Sequence, residues 1–300
     1  MKSSVSVVIP VFNRRRQLRD AVISVVEQTV PIHELFVVDD GSEDDLSEVR
    51  ELLESHGYAF IRQENKGVAA ARNNGAARAT GHYLAFLDSD DRWLPQKIEQ
   101  QLEYLSTFPQ LRACQCSEIW YRGGVRVNPK KYHRMPDGEA FEPSLERCVI
   151  SPSAIMLERS LFAEIGEFDE RLKVCEDYEY WLRLTAKHQV GLVGRELVEK
   201  FGGHPDQLSR SRPVMDRFRV FALVKLIAET ELTPVQLDLC IAELVRKCEI
   251  VATGAEKRDR WYGAMFIELG QAAAGAAGSP QAEIALLLEP FRDELLDALE

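Results

Sequence analysis

The sequence has no long apolar run and no visible signal peptide. Its longest apolar stretches, such as 4–11 and 282–288, are far shorter than the about 20 residues that a membrane-spanning helix needs. The start carries one lysine and runs directly into a strand pattern, without the charged and apolar regions of a secretory signal. We therefore expect a cytoplasmic protein whose contact with a membrane is at most peripheral, at the inner face.

The sequence also lacks any CxxC pair and any cysteine spacing typical of a metal site. The cysteines are therefore predicted to be reduced and mostly buried, as small apolar residues in a reducing compartment. They are Cys114, Cys116, Cys148, Cys175, Cys240 and Cys248.

A basic stripe is missing as well, and the formal net charge is −11, so nucleic acid is not expected as a partner. The densest basic cluster is 14–16, for which we prefer a solvated helix face to contact with an anionic acceptor or a membrane surface. The 300 residues are 45% hydrophobic and 28% charged, as in a globular protein with one enlarged domain and an appendage.

Short apolar runs alternate with helical patterns in the first third of the chain. This alternation predicts an α/β fold with a mainly parallel, doubly wound sheet, in which ligands bind where strands end. The middle of the chain is less regular. The predicted strands are 5–11, 33–39, 58–62, 82–87, 113–121, 155–157 and 190–193, and the predicted helices are 14–28, 44–55, 67–79 and 175–187.

Beyond Pro213 the apolar spacing becomes helical and predicts about four helices. Breaks between them are expected at Pro234, around Gly254 and in 270–280, and the last helix is expected at 281–299. We expect this region to cover the sheet edge or to pair subunits in a homodimer, in preference to contacting a substrate.

The stretch FLDSDD is the sharpest local signal, because an apolar strand delivers three carboxylates to one turn. Asp88 and Asp90 lie on the same side of an extended segment. Such a pair suits Mn²⁺ or Mg²⁺ shared with substrate phosphates. The alternative is an acidic turn that caps a helix starting near Pro95.

Two further stretches offer polar groups at strand and helix ends. In VVDDGS, Asp39 or Asp40 can accept hydrogen bonds from uracil or ribose, or the turn can simply cap the next helix. In NKGVAAARN, small residues allow close packing and Arg72 can contact a diphosphate or base. A surface arginine on an alanine-rich helix would look the same.

An acidic pair and a lone histidine follow in the middle of the chain. Glu176 and Asp177 begin an amphipathic helix, where acids are ordinary partners of the helix dipole. His204 stands in a loop between glycines and a proline. Most histidines in such loops are neither ligands nor catalysts.

Taken together, VSVVIPVFNR, VVDDGS, NKGVAAARN, FLDSDD and FDERLKVCEDYEYWLRL resemble the family 2 inverting glycosyltransferases of the GT-A fold. The resemblance covers about 5–211. It implies a GT-A domain at 1–212, with a nucleotide-binding half at about 1–110 and an acceptor half at about 111–212. The remaining 213–300 form the helical C-terminal region.

The resemblance implies roles on the donor side. Phe12 would stack on the base, Asp40 would read its imide with Asp39 close by, and Asp88 would contact the ribose. Asp90 would be the main metal ligand, with Asp91 as its neighbour. The implied nucleotide-sugar-binding set is Pro10, Phe12, Asn13, Asp39, Asp40, Lys66, Arg72, Asp88 and Ser89.

The resemblance also implies the catalytic groups. Asp177 would be the general base that removes the acceptor's proton, with Glu176 supporting its orientation or the acceptor. His204 would reach the metal or the diphosphate. The following loop, with Ser209, Arg210 and Arg212, would close over the phosphates.

The function that follows is transfer of a sugar, with inversion, from a UDP-sugar to a hydroxyl of a glycan or lipid-linked acceptor in cell-surface polysaccharide synthesis. One alternative is a sugar nucleotidyltransferase, which the sequence disfavours because no glycine-rich basic loop follows the first strand. Another is a catalytically idle sugar-nucleotide or glycan-binding module, against which the intact acidic motifs speak. Acceptor specificity is expected in 120–147.

Overall fold

A mixed β-sheet forms the centre of the first of two compact units in the computed structural model, which describes residues 4–127, 134–203 and 215–299. The first unit holds the described residues of Met1–Ala140, Val149–Lys173 and His188–Pro205. The second holds those of Phe141–Cys148, Val174–Lys187 and Asp206–Glu300. The helical unit therefore includes two segments that the sequence placed before the boundary at 212.

The sheet has nine strands within the described residues, in the order β3-β2-β1-β4-β8-β6-β9-β5, with β7 paired to β6. The strands are β1 Val5–Val11, β2 Glu34–Asp39, β3 Ala59–Arg62, β4 Tyr83–Phe86, β5 Arg92–Trp93, β6 Ala113–Arg122, β7 Val125–Val127, β8 Met156–Glu158 and β9 Gly191–Gly202.

Strand direction decides where the functional edge lies. β1 is parallel to β2 and β4, and β2 is parallel to β3. β8 is antiparallel to both β4 and β6, so β6 and its parallel partner β9 point the same way as β4. The carboxyl ends of β1, β2, β4, β6 and β9 consequently share one edge, and the predicted mainly parallel sheet is confirmed.

Twelve helices are present in the described ranges. They are α1 Arg15–Val26, α2 Ser47–Ser55, α3 Val68–Ala76, α4 Lys97–Thr107, α5 Phe141–Glu146, α6 Arg159–Ile165, α7 Glu176–Lys187, α8 Asp216–Glu229, α9 Pro234–Glu256, α10 Gly263–Gly275, α11 Gln281–Leu288 and α12 Phe291–Asp297. Of these, α5 and α7–α12 belong to the second unit. None of the helices found in the described ranges is long and apolar enough to cross a bilayer.

The core of the first unit follows from the sequence pattern. All seven residues of β1 are buried, as expected of a central parallel strand covered on both faces. α1 buries Leu18, Ala21, Val22 and Val25, which recur at the spacing of one helix face.

The six cysteines are free thiols, and all but Cys148 are buried, as predicted.

The predicted breaks in the C-terminal region lie at or close to the observed ones. α9 runs through Gly254 and ends at Glu256, so the break before α10 at Gly263 comes slightly later than predicted. α10 ends at Gly275 and α11 begins at Gln281, so this break lies within the predicted 270–280. The predicted last helix is instead divided into α11 and α12, with Pro290 between them. At Pro234 a helix begins, behind a capping box formed by Thr233 and Gln236.

Gly75 sets the closest approach of α3 to the sheet. A Cβ atom at this position would meet Val8 Cγ1 in a clash, and would lie 2.9 Å from Val8 Cγ2 and 3.2 Å from Val38 Cγ2. The absence of a side chain therefore fixes the spacing between α3 and the strands β1 and β2.

We expect Gly75→Ala to destabilise the protein by about 1–3 kcal/mol, because the clash outweighs the gain of about 1 kcal/mol in helix propensity. The free energy of unfolding in urea measures it. Gly275→Ala is the matched control, since no atom lies within 4 Å of its added Cβ, and it should not destabilise. Equal stability of Gly75→Ala and wild type would show that the missing side chain does not fix the spacing between α3 and the sheet.

Candidate functional site

Five carboxylates gather at the edge where parallel strands end. Asp39 ends β2 and is followed by Asp40, while Asp88, Asp90 and Asp91 follow β4. Their repulsion would destabilise the fold unless each were neutralised or hydrogen-bonded.

Asp39 shapes the turn after β2. Its side chain is fully buried, and its Oδ1 accepts the N–H of Ser42 at 2.8 Å. Its Oδ2 accepts the Arg62 guanidinium at 2.7 Å. Gly41 within this turn has φ 82°, a conformation that favours glycine. Both oxygen atoms of the Asp39 carboxylate thus stabilise this turn.

Asp40 holds the loop that leads into α3. Its Oδ1 accepts the backbone N–H of Lys66 at 2.9 Å and the Gln63 amide at 2.8 Å. Its Oδ2 accepts the N–H of Gly67 at 2.8 Å. The Lys66 side chain itself is exposed. Recognition of a base by Asp40 stays a prediction, and would share these oxygens with the loop.

Arg72 projects from α3 onto Asp88. The arginine is only 3% exposed, and its Nη2 donates to Asp88 Oδ1 at 2.7 Å. Burial opposes ionisation of Asp88, but the Arg72 and Lys200 charges outweigh it and hold the pKa of that carboxyl below its ordinary value. Arg72, which is predicted to contact a diphosphate or a base, therefore already has a carboxylate partner.

Asp90 is paired with Arg14, which lies between β1 and α1. The two side chains are 16% and 13% exposed. Arg15 and Arg16 are exposed, as a solvated helix face requires, and Arg15 lies 3.5 Å from Glu48. For Arg14 the prediction of a solvated face is wrong, because the turn directs its guanidinium to the carboxylate edge.

Asp91 lies beneath the turn and is 3% exposed. Its Oδ2 accepts the Ser153 hydroxyl at 2.6 Å and lies 3.4 Å from Lys200 Nζ on β9. Burial raises the pKa of Asp91 to about 7, and Asp90 and Asp88 add to the rise while Lys200 opposes it. Ser89 is also buried. No sequence motif predicted that Ser153 and Lys200 would contact Asp91.

The end of β1 presents three predicted residues. Pro10 is buried and pairs in register with Val38 of β2. Phe12 is 46% exposed, and its stacking on a base stays a prediction. Asn13 has a left-handed backbone, with φ 51°.

Metal ligation can be tested against these contacts. Asp88 and Asp90 supply the hard oxygen atoms that Mn²⁺ and Mg²⁺ prefer, so the donor chemistry fits. No group of three or more acidic, histidine or cysteine side chains forms a ready metal site among the described residues. His204 lies outside the described residues, as do Ser209, Arg210 and Arg212.

The acidic pair begins α7 in the second unit. Glu176 is 5% exposed, whereas Asp177 is half-buried. Asp177 Oδ1 accepts the N–H of Tyr178 at 2.7 Å, and the Cys148 thiol donates to Oδ2 at 3.3 Å. Cys175, before the helix, has φ 62°, a strained conformation for this residue type. Asp177 is thus the more accessible of the two acids.

Comparison with known proteins gives matches over most of the chain. The model of glycosyl transferase family 2 matches residues 6–166, which is more than half of the chain. An uncharacterized glycosyltransferase of Rickettsia felis is 34% identical over 202 residues, which are 65% of this chain and 32% of that protein. The chain therefore spans about a third of the length of that relative.

Two relatives have more specific names. The putative teichuronic acid biosynthesis glycosyltransferase TuaG of Bacillus subtilis is 33% identical over 62% of this chain and 73% of its own length. The Escherichia coli UDP-Glc:alpha-D-GlcNAc-diphosphoundecaprenol beta-1,3-glucosyltransferase WfgD is 28% identical over 63% of this chain and 72% of its own length.

Solved structures share the GT-A fold. S. aureus TarS in complex with UDP-GlcNAc matches with a TM-score of 0.74 and 17% identity, over 98% of this chain and 92% of that one. The Pyrobaculum calidifontis mannosyltransferase PcManGT, in complex with GDP-Man and Mn²⁺, matches with a TM-score of 0.58 and 18% identity, over 100% of this chain and 86% of that one.

The Arg72–Asp88 pair yields a stability prediction. We expect Arg72→Met to cost about 3 kcal/mol, because it leaves a carboxylate without its main neutralising partner. Urea denaturation measures the loss. The double variant Arg72→Met with Asp88→Leu should recover part of it, since no charge is then left alone; a double variant as unstable as the sum of both single changes would contradict the pairing.

Lys97 on α4 is buried against Trp93, which follows the acidic turn in the chain. Its side chain is fully buried, and its Nζ donates to Gln101 Oε1 at 2.6 Å and lies 4.0 Å from the Trp93 ring centroid. Trp93 in turn donates to the Ser153 carbonyl at 2.8 Å. Burial lowers the pKa of Lys97 to about 8.

This lowered pKa predicts a pH-dependent contribution to stability. Between about pH 8 and the unfolded pKa of about 10.4, the unfolded chain binds more protons than the folded chain, so stability rises with pH. The difference in free energy of unfolding, wild type minus Lys97→Met, should rise by about 3 kcal/mol across that interval. Urea denaturation at pH 7, 8, 9 and 10 tests it, and a difference that is flat with pH would refute the lowered pKa of the buried lysine.

Proposed function

Since the chain belongs to glycosyl transferase family 2, we propose that it moves a sugar from a UDP-sugar donor to a hydroxyl of a glycan or lipid-linked acceptor, with inversion. Its relatives connect the family to cell-surface polysaccharide biosynthesis. The observation that carries the proposal is the edge of carboxylates and arginines at the ends of β1, β2 and β4, where α/β sheets bind their ligands.

On the donor side, the exposed Phe12 ring is the proposed platform for the base. Arg72 and Asp88 form the adjoining charged pair, which we assign to the diphosphate and the ribose. TarS has been solved with UDP-GlcNAc and UDP, which supports a uridine donor here.

We assign metal binding to Asp90, with His204 as a further ligand, and Mn²⁺ or Mg²⁺ as the ion. Bound there, the cation would offset the negative charge that develops on the departing nucleoside diphosphate. The presence of Mn²⁺ in the PcManGT complex supports the choice of ion.

Asp177 is the proposed general base, and Glu176 the group that supports its orientation. A hydroxyl attacks the anomeric carbon poorly unless its proton is removed as the bond forms, and a half-buried carboxylate can take that proton. Attack opposite the leaving group requires one displacement only, so inversion needs no covalent intermediate on the protein.

The acceptor is proposed to be lipid-linked, because the name of WfgD specifies a diphosphoundecaprenol acceptor for that relative. We accordingly place the protein in the cytoplasm, in peripheral contact with the inner face of the membrane. The acceptor half is proposed at about 111–212, with the helices after 213 pairing subunits or covering the sheet edge.

The proposal predicts that UDP, more than GDP or ADP, raises the melting temperature in the presence of Mn²⁺. It also predicts hydrolysis of a UDP-sugar, or its transfer, that requires Mn²⁺ or Mg²⁺. Asp177→Asn should lower this turnover about a hundredfold or more while leaving UDP binding intact, since only proton removal is lost.

Asp238→Asn, an exposed acid in α9, is the matched control and should turn over like wild type. Unchanged turnover in Asp177→Asn would exclude this residue as the base. Absence of any nucleotide-dependent shift, for all three nucleotides and both metals, would exclude the donor chemistry altogether.

A further inference from the structure

Three consecutive arginines follow β1, and the structure separates one of them from the other two. Arg15 and Arg16 are exposed, and Arg15 lies near Glu48 on α2. Arg14 contacts Asp90 in the acidic turn, and its side chain is only 13% exposed. The structure therefore brings Arg14 to the carboxylate edge and leaves Arg15 and Arg16 exposed to solvent.

The turn that aims Arg14 is firmly held. Asn13 adopts a left-handed backbone with φ 51°, which asparagine tolerates better than most residues. Its N–H donates to Ser42 Oγ at 2.9 Å, and its Oδ1 accepts the N–H of Glu43 at 2.7 Å. The loop after β1 is thus tied to the loop after β2, directly before the arginine.

The guanidinium of Arg14 meets the carboxylate that we assign to the metal. A divalent cation bound by Asp90 would lie close to this positive charge, because both would contact the same carboxylate. The two cations would repel each other at such a distance in a partly buried site. Binding of the metal alone is therefore disfavoured while Arg14 remains on Asp90.

A nucleoside diphosphate changes this balance. Its oxygen atoms offer the guanidinium a second anionic partner with the geometry that arginine binds most strongly. Arg14 can then move from Asp90 to the diphosphate, and the divalent cation takes its place at Asp90. The Asp90 carboxylate is thus neutralised both before and after the donor binds. The exchange needs movement of one side chain about a fixed backbone turn.

On the basis of the proposed function, we propose that Arg14 is a positioning residue that couples metal binding to donor binding. It neutralises Asp90 in the donor-free protein and moves to the diphosphate when the cation takes Asp90. The contact between Arg14 and Asp90, across the ends of β1 and β4, carries this inference.

The test is Mn²⁺ affinity, measured from the electron paramagnetic resonance signal of free Mn²⁺, with and without UDP. Without UDP, Arg14→Ala should bind Mn²⁺ about tenfold more tightly than wild type, because the competing cation is gone. UDP should raise Mn²⁺ affinity strongly in wild type and much less in the variant. Arg14→Gln, which keeps the length of the side chain but not its charge, should behave like Arg14→Ala.

Arg15→Ala is the matched control, since it removes the neighbouring, exposed arginine, and its Mn²⁺ affinity should equal that of wild type. If UDP and Mn²⁺ bind wild type together but both Arg14 variants match it, the coupling role is wrong and the proposed function stands. Weaker Mn²⁺ binding by the Arg14 variants without UDP also overturns it, because Arg14 would then support the ligand. A wild type that binds neither UDP nor Mn²⁺ overturns both proposals.

Discussion

Repulsion among carboxylates at one edge of the sheet is the constraint on which the rest of the site depends. Parallel strands bring the ends of β1, β2 and β4 together, so acids that lie far apart in the chain become neighbours. The fold tolerates them because cations from other elements meet most of them, while Asp40 takes N–H groups instead. The cationic partners are Arg62 for Asp39, Arg72 for Asp88, Arg14 for Asp90 and Lys200 for Asp91.

The packing of the first unit delivers these cations. Arg72 reaches its carboxylate because Gly75 and the alanines of α3 let that helix approach β1 closely. Lys200 arrives from β9, which runs parallel to β6 and therefore ends at the same edge. Below the turn, Trp93 and Ser153 link the acidic segment to the core by buried hydrogen bonds. Apolar packing and charge compensation thus act on the same few side chains.

Local patterns predicted the elements well where periodicity is strong. The alternation of short apolar runs with helical spacing predicted β1, β2 and α1 to within a few residues, and it predicted the mainly parallel sheet. The very short β5 and β7 were missed, because two or three residues carry no periodicity and exist only through pairing with β9 and β6. In the C-terminal region the proline and glycine signals located the breaks before Pro234 and within 270–280, whereas the division of the last helix at Pro290 was missed.

The candidate site was predictable as a set of acids and much less so as a set of pairs. Asp88 and Asp90 stand out because three carboxylates follow one apolar strand. The partner of Asp90 is 76 positions away, and the hydroxyl that meets Asp91 is 62 positions away, so no local spacing announces either contact. Each partner is selected by strand order and loop geometry, as the tied turn at Asn13 illustrates. Because a carboxylate's affinity for a metal or a sugar nucleotide depends on the cation already beside it, the chemistry of this edge is set by those long-range pairs as much as by the acids themselves.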